Sequence, residues 1–356
     1  MTYEDIVKLL DGEAKYLLAH RCNNLTKDLI YQVNPNQVQE VFAQSNRNQK
    51  VLDNLQKLYA HGRLANTGYL SILPVDQDIE HSANFSFYKN PLYFDPENIV
   101  RLALEAGSSG VASSLGALAL ISKKYADKIP LIVKINHNEL LTYPNKWDQV
   151  IFTKVKQIYE LGAVAVGATI YFGSAESNRQ IVEIAQAFDE AHRLGMATIL
   201  WCYPRNSAWE TKDNDYNSSA DITAQANRLG VTIGADIIKQ KMPTIDGAFR
   251  HFKFAKYNDE MYESLSTENP IDMLRLQVIN CYAGRIPLLN SGGESSADGD
   301  FNSDLKDAVR SAVINKRAGG SGLILGRKAF KRPMAEGVRL LQAVQDVYLN
   351  EQITIA

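Results

Sequence analysis

Short apolar runs alternate along this chain with longer stretches whose apolar residues recur every three to four positions. From Leu70 onward the rhythm repeats eight times. The runs begin near Leu70, Gly110, Pro130, Ala163, Ala197, Gly234, Ile286 and Gly322. Each leads into a helical pattern, near 96–106, 115–126, 147–161, 176–194, 222–229, 271–281, 304–316 and 333–349. Asp95 before Pro96 reads as an N-cap followed by a first-turn proline. Gly107, Gly162, Gly195 and Gly230 read as helix stops just before the next run. Apolar runs without alternation fit strands buried on both faces, hence a parallel sheet covered by helices. Eight such repeats over roughly 280 residues predict a closed (β/α)8 TIM barrel rather than an open doubly wound sheet. No Gly-x-Gly-x-x-Gly follows the first run, which disfavours a dinucleotide-binding fold.

Residues 1–62 lie ahead of this rhythm. They predict a short helix at 3–10 and a polar-rich helical pattern at 37–59, with Val38, Val41, Phe42, Val51, Leu52, Leu55 and Leu58 as its apolar positions. The segment is read as an N-terminal helical extension packed on the barrel or at a subunit interface. Residues 63–356 are then the catalytic barrel domain.

Composition narrows the class. The 356 residues are 45% hydrophobic and 22% charged, an ordinary globular mix, and the formal net charge of -2 gives no reason to expect nucleic acid as a partner. No apolar run reaches the ~20 residues of a membrane span. The N-terminus lacks the basic start and apolar core of a signal peptide. Cys22, Cys202 and Cys281 are far apart and odd in number, which argues against a disulfide framework and fits a reducing cytoplasm. No cluster of histidines and carboxylates recurs at the strand ends, so neither metal nor organic cofactor is expected.

The candidate chemistry lies where the runs turn polar. In such barrels the active site sits at the C-terminal ends of the strands. Here those ends carry Asp76, Lys134, Tyr171, Trp201 with Tyr203 and Arg205, Lys239 with Lys241, Ser291-Gly292-Gly293, and Gly326-Arg327. Alternation along the sixth strand puts Ala235, Ile237, Lys239 and Lys241 on one face. A buried lysine can serve as a carbonyl nucleophile if its amine is neutral, and a neighbouring cation such as Lys241 or Lys134 would help to keep it so. Read alone, the two lysines fit a solvated strand tip better, and only the polar strand ends around them favour a catalytic lysine. Likewise Asp76 could cap a loop, Tyr203 and Trp201 could be wall residues, and Lys134 could simply pair with Asp76. Glu80 and His81 could be substrate contacts or loop anchors. Glycine amides after strand seven and Gly326-Arg327 after strand eight could together cradle a phosphate, at the usual phosphate position of this fold.

Asp76-Gln-Asp-Ile-Glu-His81, Trp201-Cys-Tyr-Pro-Arg205, Gly234-Ala-Asp-Ile-Ile-Lys239, Asn290-Ser-Gly-Gly293 and Leu325-Gly-Arg327, in this order, resemble class I fructose-1,6-bisphosphate aldolases of the archaeal and bacterial type. The similarity covers nearly the whole chain, and the extension and the C-terminal Ala-Val-Gln-Asp-Val-Tyr look like the bacterial branch. It implies a Schiff-base lysine at Lys239, a tyrosine acid/base at Tyr203 and a first-strand carboxylate at Asp76. It also implies phosphate contacts at Ser291, Gly292, Gly293, Gly326 and Arg327; Lys134 and Trp201, at the same rim, are read as substrate contacts. A cytoplasmic homo-oligomer acting on a sugar phosphate in glycolysis and gluconeogenesis would follow. One departure is Asp78, where the family usually has glycine. The alternatives are a related Schiff-base lyase or transaldolase-like enzyme on another phosphorylated sugar, and a non-catalytic sugar-phosphate-binding barrel.

Overall fold

The computed structural model describes residues 1–77, 79–296 and 300–356. Asp78, the departure noted above, lies outside the described residues. Eight parallel strands close into a barrel in sequence order: β1 (Leu70–Pro74), β2 (Gly110–Ser114), β3 (Leu131–Lys134), β4 (Ala165–Phe172), β5 (Ala197–Pro204), β6 (Ile237–Gln240), β7 (Leu288–Ser291) and β8 (Gly322–Ile324). β8 closes the ring by pairing with β1, Leu70 beside Gly322. Closure there demands glycine. Gly322 has φ 143°, and a Cβ on it would lie 1.9 Å from the Leu70 carbonyl oxygen.

Alternation sorts the apolar residues into two cores. Ile72, Ala112, Ile132, Ile199, Ile237, Leu289 and Ile324 share one cluster inside the barrel. Val111, Val133, Val166, Leu200, Ile238 and Leu323 belong to another, between strands and surrounding helices. The extension completes the inner cluster. Its helix Gln49–Tyr59 adds Val51, Leu55, Leu58 and Tyr59, all buried, to the barrel interior. Asn48 caps that helix and bonds the His192 carbonyl at 2.6 Å, while Asn54 bonds the Gly195 carbonyl at 2.8 Å. Both carbonyls precede β5, so the helix seals the end of the barrel opposite the polar strand ends.

The elements differ from the sequence expectation in three places. The pattern at 37–59 is broken into Gln37–Glu40, a tight turn at Phe42–Gln44 and Gln49–Tyr59. Ser45 is extended, and the Asn48 side chain takes the Val51 amide, restarting the helix. The helix expected at 147–161 shrinks to Val155–Glu160. Val150–Ile151, β-branched, instead pairs antiparallel with Asn136–His137 as a ribbon above β3. Gly230 lies inside the helix Ala220–Thr232 and does not end it. A Cβ there would meet Cys202 Sγ at 2.5 Å, so the glycine lets the helix approach β5.

Leu55→Ala should cost about 2–5 kcal/mol, the range for deleting a buried leucine. The urea midpoint of the full chain measures it. A change near zero would mean that the plug helix is not part of the cooperative core.

Candidate active site

The inward alternation of four neighbouring strands builds the mouth. Trp201 on β5 pairs beside Lys239 on β6 and Thr169 on β4, and Lys134 on β3 pairs beside Gly167. Lys239 Nζ lies 5.0 Å from the Trp201 ring centroid and 5.6 Å from that of Tyr203. Lys134 Nζ lies 4.3 Å from the same indole and donates to the Thr169 hydroxyl. Gly167 makes room for this stack, since a Cβ would sit 3.0 Å from Lys134 Cδ and 3.1 Å from Trp201 Cζ3. A cavity of about 540 Å³ opens above these side chains, bounded also by Asp76, Ser291 and Arg327.

Two buried ammonium groups over one ring are costly when charged. Burial, with Arg327 assisting, pushes Lys239 down to about 8, although Asp76 and Glu80 oppose the shift. Burial pushes Lys134 down to about 7. The cation that helps to depress Lys239 is therefore Arg327 and not Lys241. Lys241 lies just past β6 and is pushed to about 8 by its own burial and by Arg205. Arg205 stacks over Trp147 at 5.2 Å and Tyr171 at 5.5 Å, on the side of the mouth away from Arg327.

Asp76 follows β1. Burial alone would raise its carboxyl, but His137, Lys134 and Lys239 together hold it well below the usual range. His137 stands between two carboxylates. Its Nε2 is 2.9 Å from Asp76 Oδ2, out of line for a hydrogen bond, and its Nδ1 bonds Glu80 Oε2 at 3.0 Å. Glu80 is thus tied to the site through the ring. The sequence reasoning missed His137. It falls on the outward parity of β3 and reaches the site only because the ribbon bends the chain after Lys134.

Tyr203 shares its hydroxyl with Ser291 Oγ at 2.9 Å. Burial raises its phenol well above the ordinary value, and Asp76 and Glu80 add to this, so it holds its proton in the resting site.

The loops after β7 and β8 meet as expected, with two differences. The Gly292 amide is committed to the Ile324 carbonyl at 3.2 Å, so it is not a free donor to a ligand. Its missing side chain matters instead, because a Cβ would meet Leu325 Cδ1 at 2.6 Å. The Arg327 guanidinium already pairs with Glu294. Buried Asp304 ties the two loops together: it accepts from Ser295, from the Ser296 amide at 2.8 Å and from Arg332, and lies 3.6 Å from Lys328 Nζ. Asn290 turns away from the mouth and bonds Gln277 Oε1 at 3.0 Å.

Among the described residues, one group of possible metal donors forms away from the mouth: His20, Cys22 and Asp272. Asp272 already accepts from His20 at 3.0 Å and from Thr267, and burial pushes the Cys22 thiol up to about 12. Arg275 stands beside the thiol. The arrangement links the extension to the helix Pro270–Ile279.

Residues 70–332 match the DeoC/LacD family aldolases. The chain belongs to this aldolase family. A probable fructose-bisphosphate aldolase class 1 of Chlamydia pneumoniae is 54% identical over 352 residues, 99% of each chain. The fructose-bisphosphate aldolase class 1 of Thermoproteus tenax is 30% identical over 270 residues, 75% of this chain and 86% of that one. An archaeal fructose-1,6-bisphosphate aldolase, solved with its catalytic Lys covalently bound to the carbinolamine intermediate of the substrate, superposes with a TM-score of 0.62 at 26% identity. It covers 83% of this chain and 98% of its own.

In this family member, Gly326→Ala should be costly. A Cβ would lie 2.2 Å from the Pro74 carbonyl oxygen, forcing β1 and the last loop apart. The expected loss is about 1–3 kcal/mol, the range for overpacking. Inorganic phosphate should also inhibit the variant more weakly than the parent; unchanged stability and inhibition would show that the loop tolerates a side chain.

Proposed function

We propose that this chain is a class I fructose 1,6-bisphosphate aldolase, interconverting the ketose bisphosphate with dihydroxyacetone phosphate and glyceraldehyde 3-phosphate through a Schiff base on Lys239. The observation that carries this reading is Lys239 itself: a buried inward lysine, lowered to about 8, in a mouth shared with Asp76 and Tyr203. With a pKa near 8, roughly a tenth of the amine is neutral at pH 7, against less than a thousandth at the ordinary value of about 10.4.

The neutral amine attacks C2 of the open-chain substrate. Nitrogen loses a proton, the carbonyl oxygen gains one, and the carbinolamine then sheds water to leave an iminium. Asp76, held ionised, guides this step. The iminium draws the electrons of the C3–C4 bond as that bond breaks, while the C4 hydroxyl gives up its proton to Tyr203. Tyr203 is protonated at rest, which suits it to protonate C3 of the enamine and, in condensation, the aldehyde oxygen. The positive iminium beside its ring favours the phenolate needed for cleavage. Hydrolysis of the protonated adduct releases dihydroxyacetone phosphate.

The C1 phosphate lies on Ser291, Gly293, Gly326 and Arg327, with Gly292 giving space, and Arg327 exchanges Glu294 for the phosphate. Lys134 and Trp201 form the wall against the sugar. Lys241 and Arg205 meet the second phosphate, whose charge would relieve their mutual repulsion. Residues 1–62 act as the barrel floor, and residues 63–356 carry the chemistry. Among the described residues no helix is long and apolar enough to cross a membrane. The working state is a cytoplasmic homo-oligomer, in line with exposed Phe85, Leu92, Leu141 and Tyr143 on the segments that follow β1 and β3; light scattering tests the assembly.

Borohydride with dihydroxyacetone phosphate should leave a reduced adduct on Lys239, found by peptide mass spectrometry, and Lys239→Met should abolish it. An adduct on Lys241 or Lys134 instead would sink the assignment. The neutral fraction grows with pH, so the trapping rate should climb between about pH 6 and about pH 8. Tyr203→Phe should still be trapped but turn over about 10²-fold more slowly or worse. Glu294→Gln should tighten inhibition by inorganic phosphate about two- to fivefold, the scale of an exposed ion pair; weaker inhibition would make Glu294 a helper of the cradle and not its competitor.

A further inference from the structure

Loss of water from the carbinolamine consumes a proton. Neutral amine plus ketone plus one proton gives iminium plus water, and a group beside C2 must supply that proton. Asp76 is beside the reacting amine but is ionised, so it has no proton of its own to give. Tyr203 is already assigned the proton of the C4 hydroxyl, and its hydroxyl shares a hydrogen bond with Ser291 Oγ. His137 has the geometry that Asp76 lacks. Its ring is buried, with one nitrogen 2.9 Å from Asp76 and the other 3.0 Å from Glu80. Both ring nitrogens of an imidazolium are donors, and two flanking carboxylates are the surroundings that favour it.

We propose that His137 is a positioning residue for Schiff-base formation that supplies, through Asp76, the proton leaving as water, with Glu80 holding the ring. Nε2–H passes its proton to Asp76 Oδ2, the Asp76 carboxyl hands one to the carbinolamine hydroxyl, and the C–O bond breaks as the nitrogen lone pair forms the iminium. His137 is left neutral, with Nδ1–H still donated to Glu80. Hydrolysis of the iminium runs the same path backward and recharges the ring. The 2.9 Å contact is out of line with Nε2–H at rest. Such contacts commonly align only in the substrate complex.

The charged groups facing the ring set its pH behaviour. Burial and Lys134 disfavour its charge, while Asp76 and Glu80 favour it and win, so the ring is held above its ordinary value. His81 stands beside Glu80, and Lys239 beside Asp76. Formation of the adduct should therefore need neutral Lys239 on the acid side and protonated His137 on the alkaline side.

The proposal rests on Lys239 as the Schiff-base lysine. The test is rapid-quench borohydride trapping of dihydroxyacetone phosphate across pH, with inorganic phosphate inhibition as a measure of an intact cradle. His137→Asn should still reach a full Lys239 adduct, with unchanged phosphate inhibition, but form it about a hundredfold more slowly and without the alkaline fall. Imidazole should restore the rate in His137→Gly. Glu80→Gln, which leaves the ring in place, should move the alkaline fall to lower pH. Parental rate and pH profile in both His137→Asn and Glu80→Gln would overturn the relay while leaving Lys239 in its role. An equal loss of phosphate inhibition and trapping rate, without imidazole rescue, would also overturn it, since that is what a merely structural histidine gives. No adduct in the parent protein would remove the Lys239 reading and this one together.

Discussion

Two lysine side chains pressed against one indole, in a space too dry to keep both charged, set the terms for the rest of this site. Lys134 and Lys239 reach Trp201 from the wall on either side of it, and among the described residues neither forms an ion pair with a carboxylate. Their shared burial lowers both, and it makes sense of the acids placed a little further off. Asp76 and Glu80 balance the charge of the mouth without quenching the amine that must stay nucleophilic. His137 stands between them, and with Lys134 it favours the ionised form of both.

That arrangement depends on barrel geometry more than on any one residue. Closing eight strands in sequence order makes alternate residues converge on the axis. The same rule that fills the lower half with Ile72, Ile132, Ile199 and Ile237 turns Lys134, Trp201, Tyr203 and Lys239 inward above them. Floor and chemistry are thus consecutive layers of one packed column. The apolar layers fix the height and direction of the polar ones, and so aim the lysine at the mouth.

Residues on regular strands were legible in the sequence for this reason. Lys239, Trp201 and Tyr203 could be placed from alternation and strand order alone, and the loops after β7 and β8 from the fold. What escaped was whatever depends on departures from regularity. His137 has the wrong parity on β3 and enters through a two-residue ribbon whose partner, Val150–Ile151, reads as part of a helix. Gly230 looks like a helix stop, but the reason for it is a sulfur atom on the adjoining strand. The occupation of Arg327 by Glu294 and of the Gly292 amide by Ile324 are choices of pairing, which residue type does not reveal. Arg327, and not Lys241, acts on Lys239 although both line the mouth, and strand parity alone does not show which cation bears on the amine.

The helix Gln49–Tyr59 closes the barrel from below, yet it is made before any barrel strand. Its apolar side packs against Val164, Ala165 and Ala197, more than a hundred residues downstream. During synthesis that side has Val38 and Phe42 beside it at once, but the rest of its cluster arrives only as the barrel strands are made, the last of it with β7 and β8. Contacts so distant in sequence form late and leave sticky surface exposed meanwhile. The part that makes the finished floor watertight is thus also the part of the nascent chain most in need of shelter, and chaperone dependence would centre there rather than on the catalytic mouth.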